Sequence, residues 1–237
     1  MIEFEHKLPR FFVGEKCVGT YNNVELGFPS ILTTTDCRLG MFIRALRNSI
    51  TAERSLVFID GKILMCDKNW IRDHVHIMKA MRHWEYELSE FLNFIIDTQR
   101  EDGQFYELIK QYDDYSWKMV NEDCRVMYPD DNLTLVRLEL EADIEYLVVE
   151  GAMYLYKTTG DDEWLKKVLP RLEKGIDYMT SNKKRWAGDY GLIKRPFTID
   201  TWDFKYGFPC DDRKIEDDTP MSIMHGDNSG IYQAMHQ

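Results

Sequence analysis

Two carboxylates and an indole stand close together between residues 198 and 204, where the sequence reads TIDTWDF. Cleavage of a glycosidic bond needs one carboxyl group that protonates the leaving oxygen and a second carboxylate that activates water or attacks the sugar. An indole beside a carboxyl group can stack on a sugar ring, and by excluding water it raises the pKa of that group. Asp200, Trp202 and Asp203 are therefore candidates for one wall of a sugar-binding cleft. The alternative is a solvated loop in which the two acids pair with nearby basic residues.

A second polar group, formed by Trp70, Arg72 and Asp73, lies in the sequence KNWIRDHVH, at the start of a long amphipathic segment. Guanidinium donors and carboxylate acceptors together match the hydroxyl pairs of a sugar. These three residues are therefore predicted to bind substrate. The structural alternative is that Asp73 is an N-cap, because an aspartate at a helix start commonly accepts hydrogen bonds from the free backbone N–H groups.

A third polar group lies in the sequence HGDNSG, where His225 and Asp227 flank a glycine and Asn228 follows. We predict that His225 and Asp227 bind substrate, and the structural alternative is a helix cap at Asp227 or Asn228. The histidines lack the HxxxH and HExxH spacings of metal sites, and the sequence has no GxSxG or glycine-rich phosphate motif. Neither a metal nor a cofactor is therefore expected.

Acidic residues are dense between positions 139 and 150, in the sequence ELEADIEYLVVE. Read as a helix, this segment places Glu141 four residues before Glu145, and such like-charge pairs are unfavourable unless cations or a function compensate. Because acids are mostly exposed in proteins, we predict a solvated helix face. The alternative is a carboxylate cluster that binds Ca²⁺ or lines a cleft.

The composition predicts a folded domain, since 44% of the 237 residues are hydrophobic and 13% are aromatic. The formal net charge of −11 and the lack of a basic stripe disfavour nucleic acid and anionic membranes as partners. No apolar run is long enough for a signal peptide or a membrane span. The five cysteines are dispersed, which is typical of reduced thiols in a cytoplasmic protein.

The periodicity of apolar residues predicts a mainly α fold. A segment with strand-like composition, RSLVFIDGKILMC, predicts a β-hairpin over residues 54–66 that turns at Asp60-Gly61. The segment at 74–103 is predicted to form either one helix or two helices with a break near His83. Pro170 is expected to kink the helix predicted at 161–181. Helices are predicted over residues 37–50, 74–103, 133–160 and 161–181, and from Asn228 onward.

The organisation of the chain predicts one domain over residues 1–237, since neither a linker nor a low-complexity tract divides it. Residues 1–36 are expected to form an irregular or partly extended arm, and residues 37–237 a helical region. The predicted elements do not alternate between strands and helices, so a parallel sheet is not expected. The long connectors at 101–132 and 182–227 carry many aromatic residues and are expected to be packed loops.

The order of these motifs resembles the (α/α)6-barrel, or six-hairpin, glycoside hydrolases, and the glucoamylase-like members in particular. NWIRDH is similar to their Trp-x-Arg-Asp segment, and IDTWDF is similar to their Asp-x-Trp-acid segment. The resemblance implies a toroid of helical hairpins in which Arg72 and Asp73 hold sugar hydroxyls. It also implies that Trp202 is a subsite wall, that Asp203 is the general acid and that Asp200 supports it.

The chain departs from that family in two respects. The glucoamylases have Glu at the position of Asp203, so the acid and its supporting Asp200 could exchange roles. A toroid of six hairpins also needs a longer chain, and the family's general base lies in the late helices. We therefore expect only the first half of a toroid, C-terminally incomplete, whose uncovered helix faces would favour a homo-oligomer.

The leading functional hypothesis is an inverting glycoside hydrolase that acts on an oligosaccharide by general acid and base catalysis. One alternative is a six-hairpin polysaccharide lyase or sugar epimerase, in which His225 with Tyr206 or Tyr232 transfers protons. Another is a noncatalytic helical scaffold that binds a glycan or a protein. The scaffold hypothesis predicts that the candidate residues do not converge on one cleft.

Overall fold

The computed structural model describes twelve stretches of the chain, at residues 12–13, 16–17, 20–21, 24–25, 36–52, 55–59, 62–66, 70–82, 89–111, 125–131, 133–196 and 215–237. The predictions for Asp200, Trp202 and Asp203 lie outside these residues, as do those for Tyr206 and the Asp60-Gly61 turn. Nothing below therefore tests them.

The described residues form a mainly helical structure with small sheets. The α-helices are α1 (Cys37–Ala52), α2 (Ile71–Met81), α3 (Ser89–Asp97), α4 (Ile144–Thr159), α5 (Asp162–Ser181) and α6 (His225–Met235). The predicted helices at 37–50 and 161–181 are confirmed, and the last helix begins three residues before Asn228. The amphipathic segment at 74–103 contains two helices, α2 and α3.

The strands are short and pair antiparallel. They are β1 (Phe12–Val13), β2 (Lys16–Cys17), β3 (Thr20–Tyr21), β4 (Val24–Glu25), β5 (Ser55–Ile59), β6 (Lys62–Cys66), β7 (Leu108–Gln111), β8 (Arg125–Tyr128), β9 (Leu133–Val136), β10 (Trp186–Ala187), β11 (Leu192–Ile193), β12 (Arg195–Pro196) and β13 (Met221–Ser222). The predicted hairpin is confirmed, because β5 pairs with β6 and Ile59 lies opposite Lys62. A three-stranded sheet has the order β7-β9-β8.

The prediction of one helix over 133–160 is wrong in its first part. Leu133–Val136 is the central strand of the three-stranded sheet, and all four residues are buried. Strand β9 pairs with neighbours on both edges, so its backbone hydrogen bonds are satisfied by β7 and β8 and not by a helix. Helix α4 begins only at Ile144 and ends at Thr159, and the next residue, Gly160, has a φ of 63° that allows the left-handed helix cap.

Helix α4 lies at the centre of the main hydrophobic core and packs against α2, α3, α5 and α6. Gly151 of α4 permits the close approach of two of these helices, since a Cβ there would lie 2.9 Å from Val75 Cγ2 and 3.3 Å from Leu92 Cδ1. Asp161 accepts a hydrogen bond of 2.9 Å from the Trp164 backbone N–H and so caps α5. Helix α5 continues through Pro170. No helix in the described part of the chain is long and apolar enough to cross a membrane.

Candidate functional site

Arg72 on the first turn of α2 is held by two carboxylates. Its Nε donates to Asp143 Oδ2 at 2.5 Å, and its Nη2 donates to Asp143 Oδ1 at 2.7 Å and to Glu141 Oε2 at 2.6 Å. This forked geometry fixes the plane of the guanidinium group. Trp70 precedes the helix, where its backbone bridges to Leu108 and its side chain packs on an apolar cluster beside the sheet.

Glu141 and Asp143 belong to the connection between β9 and α4, and two buried arginines fix the backbone of this connection. Arg137 donates to the carbonyls of Leu138 at 2.7 Å and Glu141 at 2.9 Å. Arg185, which follows α5, donates to the Glu141 carbonyl at 2.5 Å and also to the carbonyl of Glu139. Both arginines are fully buried. The carboxylates that face Arg72 are therefore presented by a rigid segment.

The prediction of a solvated acidic face is wrong for Glu139, Glu141 and Glu145, all of which are buried. Arg137 lies 3.1 Å from Glu145 Oε2, and Lys184 lies 2.9 Å from Glu139 Oε2. Lys184, and Arg72 beside Glu141, come from distant parts of the chain, so a local count of like charges does not reveal this compensation. The alternative in which carboxylates of this segment line a cleft gains support from Asp143, whose side chain is 14% exposed.

The motif around Asp227 meets the motif around Arg72 through Arg195 of β12. Arg195 Nη1 lies 3.7 Å from Asp227 Oδ2, and its Nη2 lies 3.9 Å from Glu141 Oε2. We name Arg72, Glu141, Asp143, Arg195 and Asp227 the acid–arginine cluster. Their side chains are 19%, 0%, 14%, 15% and 10% exposed, respectively. The cluster therefore reaches the surface through two arginines and two aspartates above a fully buried glutamate.

The acids of the cluster differ in their pKa values. Burial raises the pKa of Glu141, and the charge of Arg72 offsets this rise only in part. Burial likewise raises the pKa of Asp227, against the opposing charge of Arg195. Burial also acts on Asp143, but the hydrogen bonds and the charge of Arg72 outweigh it and lower its pKa. Burial and ion pairing thus shift the pKa values of neighbouring carboxyl groups in opposite directions.

Two buried oxygen atoms of the cluster have no hydrogen-bond donor among the described residues, namely Glu141 Oε1 and Asp227 Oδ2. A buried acceptor without a donor is unfavourable, and protonation or a hydroxyl group from a ligand would relieve it. This observation agrees with the raised pKa of both groups.

Three predicted site residues in the described part of the chain lie outside the cluster. Trp70 packs on apolar residues, and Asp73 on α2 and His225 on α6 are exposed. The cap interpretations are wrong, because the N-caps of the two helices are Trp70 and Met224. Asn228 instead uses its side-chain amide to accept from the Ile193 backbone N–H at 2.8 Å and to donate to the Ile193 carbonyl at 3.0 Å.

Sequence reasoning missed Arg195 as a site residue and gave Glu141 and Asp143 only a secondary role. The alternation of apolar residues with acids at Leu138, Leu140 and Ala142 argues against a helix here. The structure has an irregular connection at this place, with a turn at Glu139 and Leu140.

In the part of the chain that the structure describes, no group of three or more His, Cys, Asp or Glu residues is arranged to hold a metal ion. Comparisons with protein-family models, with curated proteins and with solved structures found no match for this chain. The geometry of the site is therefore the basis for inferring a function.

Proposed function

We propose that this chain is a cytoplasmic glycoside hydrolase that cleaves an oligosaccharide, with helical hairpins arranged as part of an (α/α)6 toroid. The observation that carries the proposal is the acid–arginine cluster. It joins Arg72 and Asp227, which come from two separate motifs in the sequence, into one partly exposed group.

The cluster has the chemistry that a sugar requires. Arg72 and Arg195 supply planar donors, and Asp143 and Asp227 supply acceptors, so neighbouring hydroxyl groups of a sugar can bind as donor and acceptor at once. Glu141 lies beneath them and orients Arg72 through its 2.6 Å contact. This arrangement supports sugar binding more than phosphate binding, because three carboxylates would repel an anion.

In the proposed mechanism Asp203 protonates the leaving oxygen, and Asp200 supports it or exchanges roles with it. Trp202 forms a wall of the subsite and, by excluding water, keeps the acid protonated. A carboxylate on the opposite face of the sugar activates water, which gives inversion at the anomeric carbon. Arg72, Asp143, Arg195 and Asp227 position the sugar ring.

The variant Asp203→Asn tests this proposal. We expect it to lose at least about 100-fold in turnover, since general acid catalysis contributes about 10²–10⁴-fold, and to keep its affinity for the sugar. Release of reducing ends from a panel of neutral oligosaccharides measures turnover. Asp177→Asn, the same change at an exposed position of α5, is the matched control. Equal turnover in Asp203→Asn and the wild type would refute the assignment.

A lyase or epimerase gains little support from the described residues. His225 and Tyr232 are both exposed on α6, and seven residues of helix separate them by about 10.5 Å along the axis. Tyr232 contacts His236 instead, with ring centroids 4.4 Å apart. Unsaturated or isomerised sugars among the products would nevertheless favour this alternative over hydrolysis.

A further inference from the structure

A groove of ≈ 570 Å³ lies beside the hairpin that follows α5. Its volume is within the range of about 300–1,000 Å³ that is usual for small-molecule sites. The residues that determine its chemistry are Trp186, Asp189, Tyr190, Lys194 and Ser222. None of them belongs to the acid–arginine cluster.

The groove has a rigid wall. Strands β10 and β11 pair so that Ala187 lies opposite Leu192, and the Tyr190 backbone N–H donates to the Ala187 carbonyl at 2.9 Å. Gly191, with a φ of 62°, closes the turn in a conformation that favours glycine. The base of the hairpin is anchored by Ile193, which is buried and whose backbone is held by the Asn228 amide. Such preorganisation reduces the entropic cost of binding a ligand.

Aromatic faces and balanced charge define the ligand class. Tyr190 is 73% exposed on the tight turn, and the partly buried Trp186 lies at the base of the hairpin. Flat rings of this kind pack against the apolar face of a sugar. Asp189 and Lys194 contribute one negative and one positive charge, so the groove favours neither an anion nor a cation. A carboxylate acceptor and an ammonium donor suit hydroxyl groups instead.

The groove adjoins the acid–arginine cluster along the chain and across a strand pair. Lys194 lines the groove, and the next residue, Arg195, belongs to the cluster. Ser222, which also lines the groove, is the cross-strand partner of Arg195. A chain of sugar units bound at the cluster could therefore extend into the groove.

We propose that this groove binds neutral pyranose units of an oligosaccharide, with Tyr190 as the stacking platform. The inference deepens the proposed function and rests on it for the nature of the substrate. It makes a separate claim, however, because a groove can bind a sugar whether or not the bond beside it is hydrolysed.

The test uses the full chain with Asp203→Asn, so that bound sugar is not consumed. An array of neutral and acidic oligosaccharides identifies the best neutral ligand, and calorimetry measures its affinity. We expect Tyr190→Ala to weaken binding by about tenfold, which is about 1.4 kcal/mol. The control Tyr232→Ala removes an equally exposed tyrosine on α6, outside the groove, and should bind like its parent. In the chain with Asp203 intact, Tyr190→Ala should raise KM and leave kcat nearly unchanged.

Three results would overturn the proposal that the groove binds neutral sugars: full affinity in Tyr190→Ala, an equal loss of affinity in Tyr232→Ala, or binding of acidic sugars alone. The failure of this proposal can be distinguished from the failure of the hydrolase proposal. Tyr190-dependent binding without hydrolysis supports the groove and contradicts the hydrolase. Hydrolysis that depends on Asp203 but is unaffected by Tyr190→Ala supports the hydrolase and contradicts the groove.

Discussion

At the scale of single residues, burial and arginines together set the pKa values of the acids in the cluster. Arg72 contacts both Asp143 and Glu141, yet their pKa values move in opposite directions. Burial acts to raise the pKa of both groups, and the charge of Asp143 raises that of Glu141 further. Asp143 accepts two hydrogen bonds from Arg72, whereas Glu141 accepts one, and this stronger contact lowers the pKa of Asp143. A lysine would be a poor substitute for Arg72, since it lacks the planar fork that reaches both acids.

Glu107 provides a prediction at this scale. Burial raises the pKa of Glu107 to about 8, from an ordinary value of 4.5, despite the opposing charge of Arg137. Between these values the folded state keeps a proton that the unfolded state has lost. The free energy of unfolding should therefore fall as the pH rises from about 4.5 to about 8. Glu141 and Asp227 act in the same direction.

The variant Glu107→Gln should flatten this pH dependence and be more stable than the wild type at pH 8. In the wild type, Glu107 Oε2 accepts from Arg137 Nη1 at 3.1 Å and from the Leu138 backbone N–H at 3.3 Å. Glutamine resembles the neutral carboxyl group, and its amide oxygen can still accept both hydrogen bonds. Urea unfolding across this pH range measures the effect, with the exposed Glu173→Gln of α5 as the control. An unchanged slope would mean that Glu107 remains charged in the folded protein.

At the scale of elements, close contacts between helices depend on small residues. Helix α6 crosses α4 at Gly230, where a Cβ atom would lie only 2.5 Å from Tyr146 Cζ. Gly226, one turn earlier on the same helix, has nothing within 4 Å of the same position. The two glycines of α6 therefore form a matched pair for testing the packing.

Gly230→Ala should lower the free energy of unfolding by about 1–3 kcal/mol, because the added methyl group overpacks the contact with Tyr146. Gly226→Ala should range from no change to a gain of about 0.5 kcal/mol, since alanine favours the helix and meets no neighbour. Thermal or urea unfolding of both variants measures the difference. Similar stabilities would contradict the packing of α6 on α4.

At the scale of the whole molecule, α4 and α1 represent two extremes of burial. Helix α4 has nine buried residues and packs against four other helices. Of the α1 residues whose burial the structure describes, none is buried, and large apolar side chains such as Met41 and Phe42 are exposed. Local stability should follow this contrast, since segments with few buried contacts open without global unfolding.

Hydrogen exchange followed by mass spectrometry should therefore find slow exchange in α4, limited by global unfolding, and fast exchange in α1. Repeating the measurement at higher protein concentration tests the expectation of a homo-oligomer, because association would protect the apolar side of α1. Exchange in α1 that is as slow as in α4 at every concentration would contradict the described burial.

Local signals predicted the helices and the β5–β6 hairpin, but not the other strands. Helix α5 follows a capping aspartate, α4 ends at a glycine, and the β5–β6 hairpin has the expected composition. Residues 133–143 were mistaken for helix because their apolar residues fit both periods, and for Leu133–Val136 partners on both edges decided for a strand. Long-range pairing of this kind has no signature within the segment itself.

The sequence by itself determined two candidates for the cluster, since Arg72 and Asp227 stand in recognisable polar motifs. Only the tertiary structure decided that these two residues share a cluster and that Glu141, Asp143 and Arg195 complete it. It also decided which acids are buried and in which direction their pKa values shift. The physical reason is that desolvation and ion pairing depend on distances in space, and residues far apart in the chain supply both.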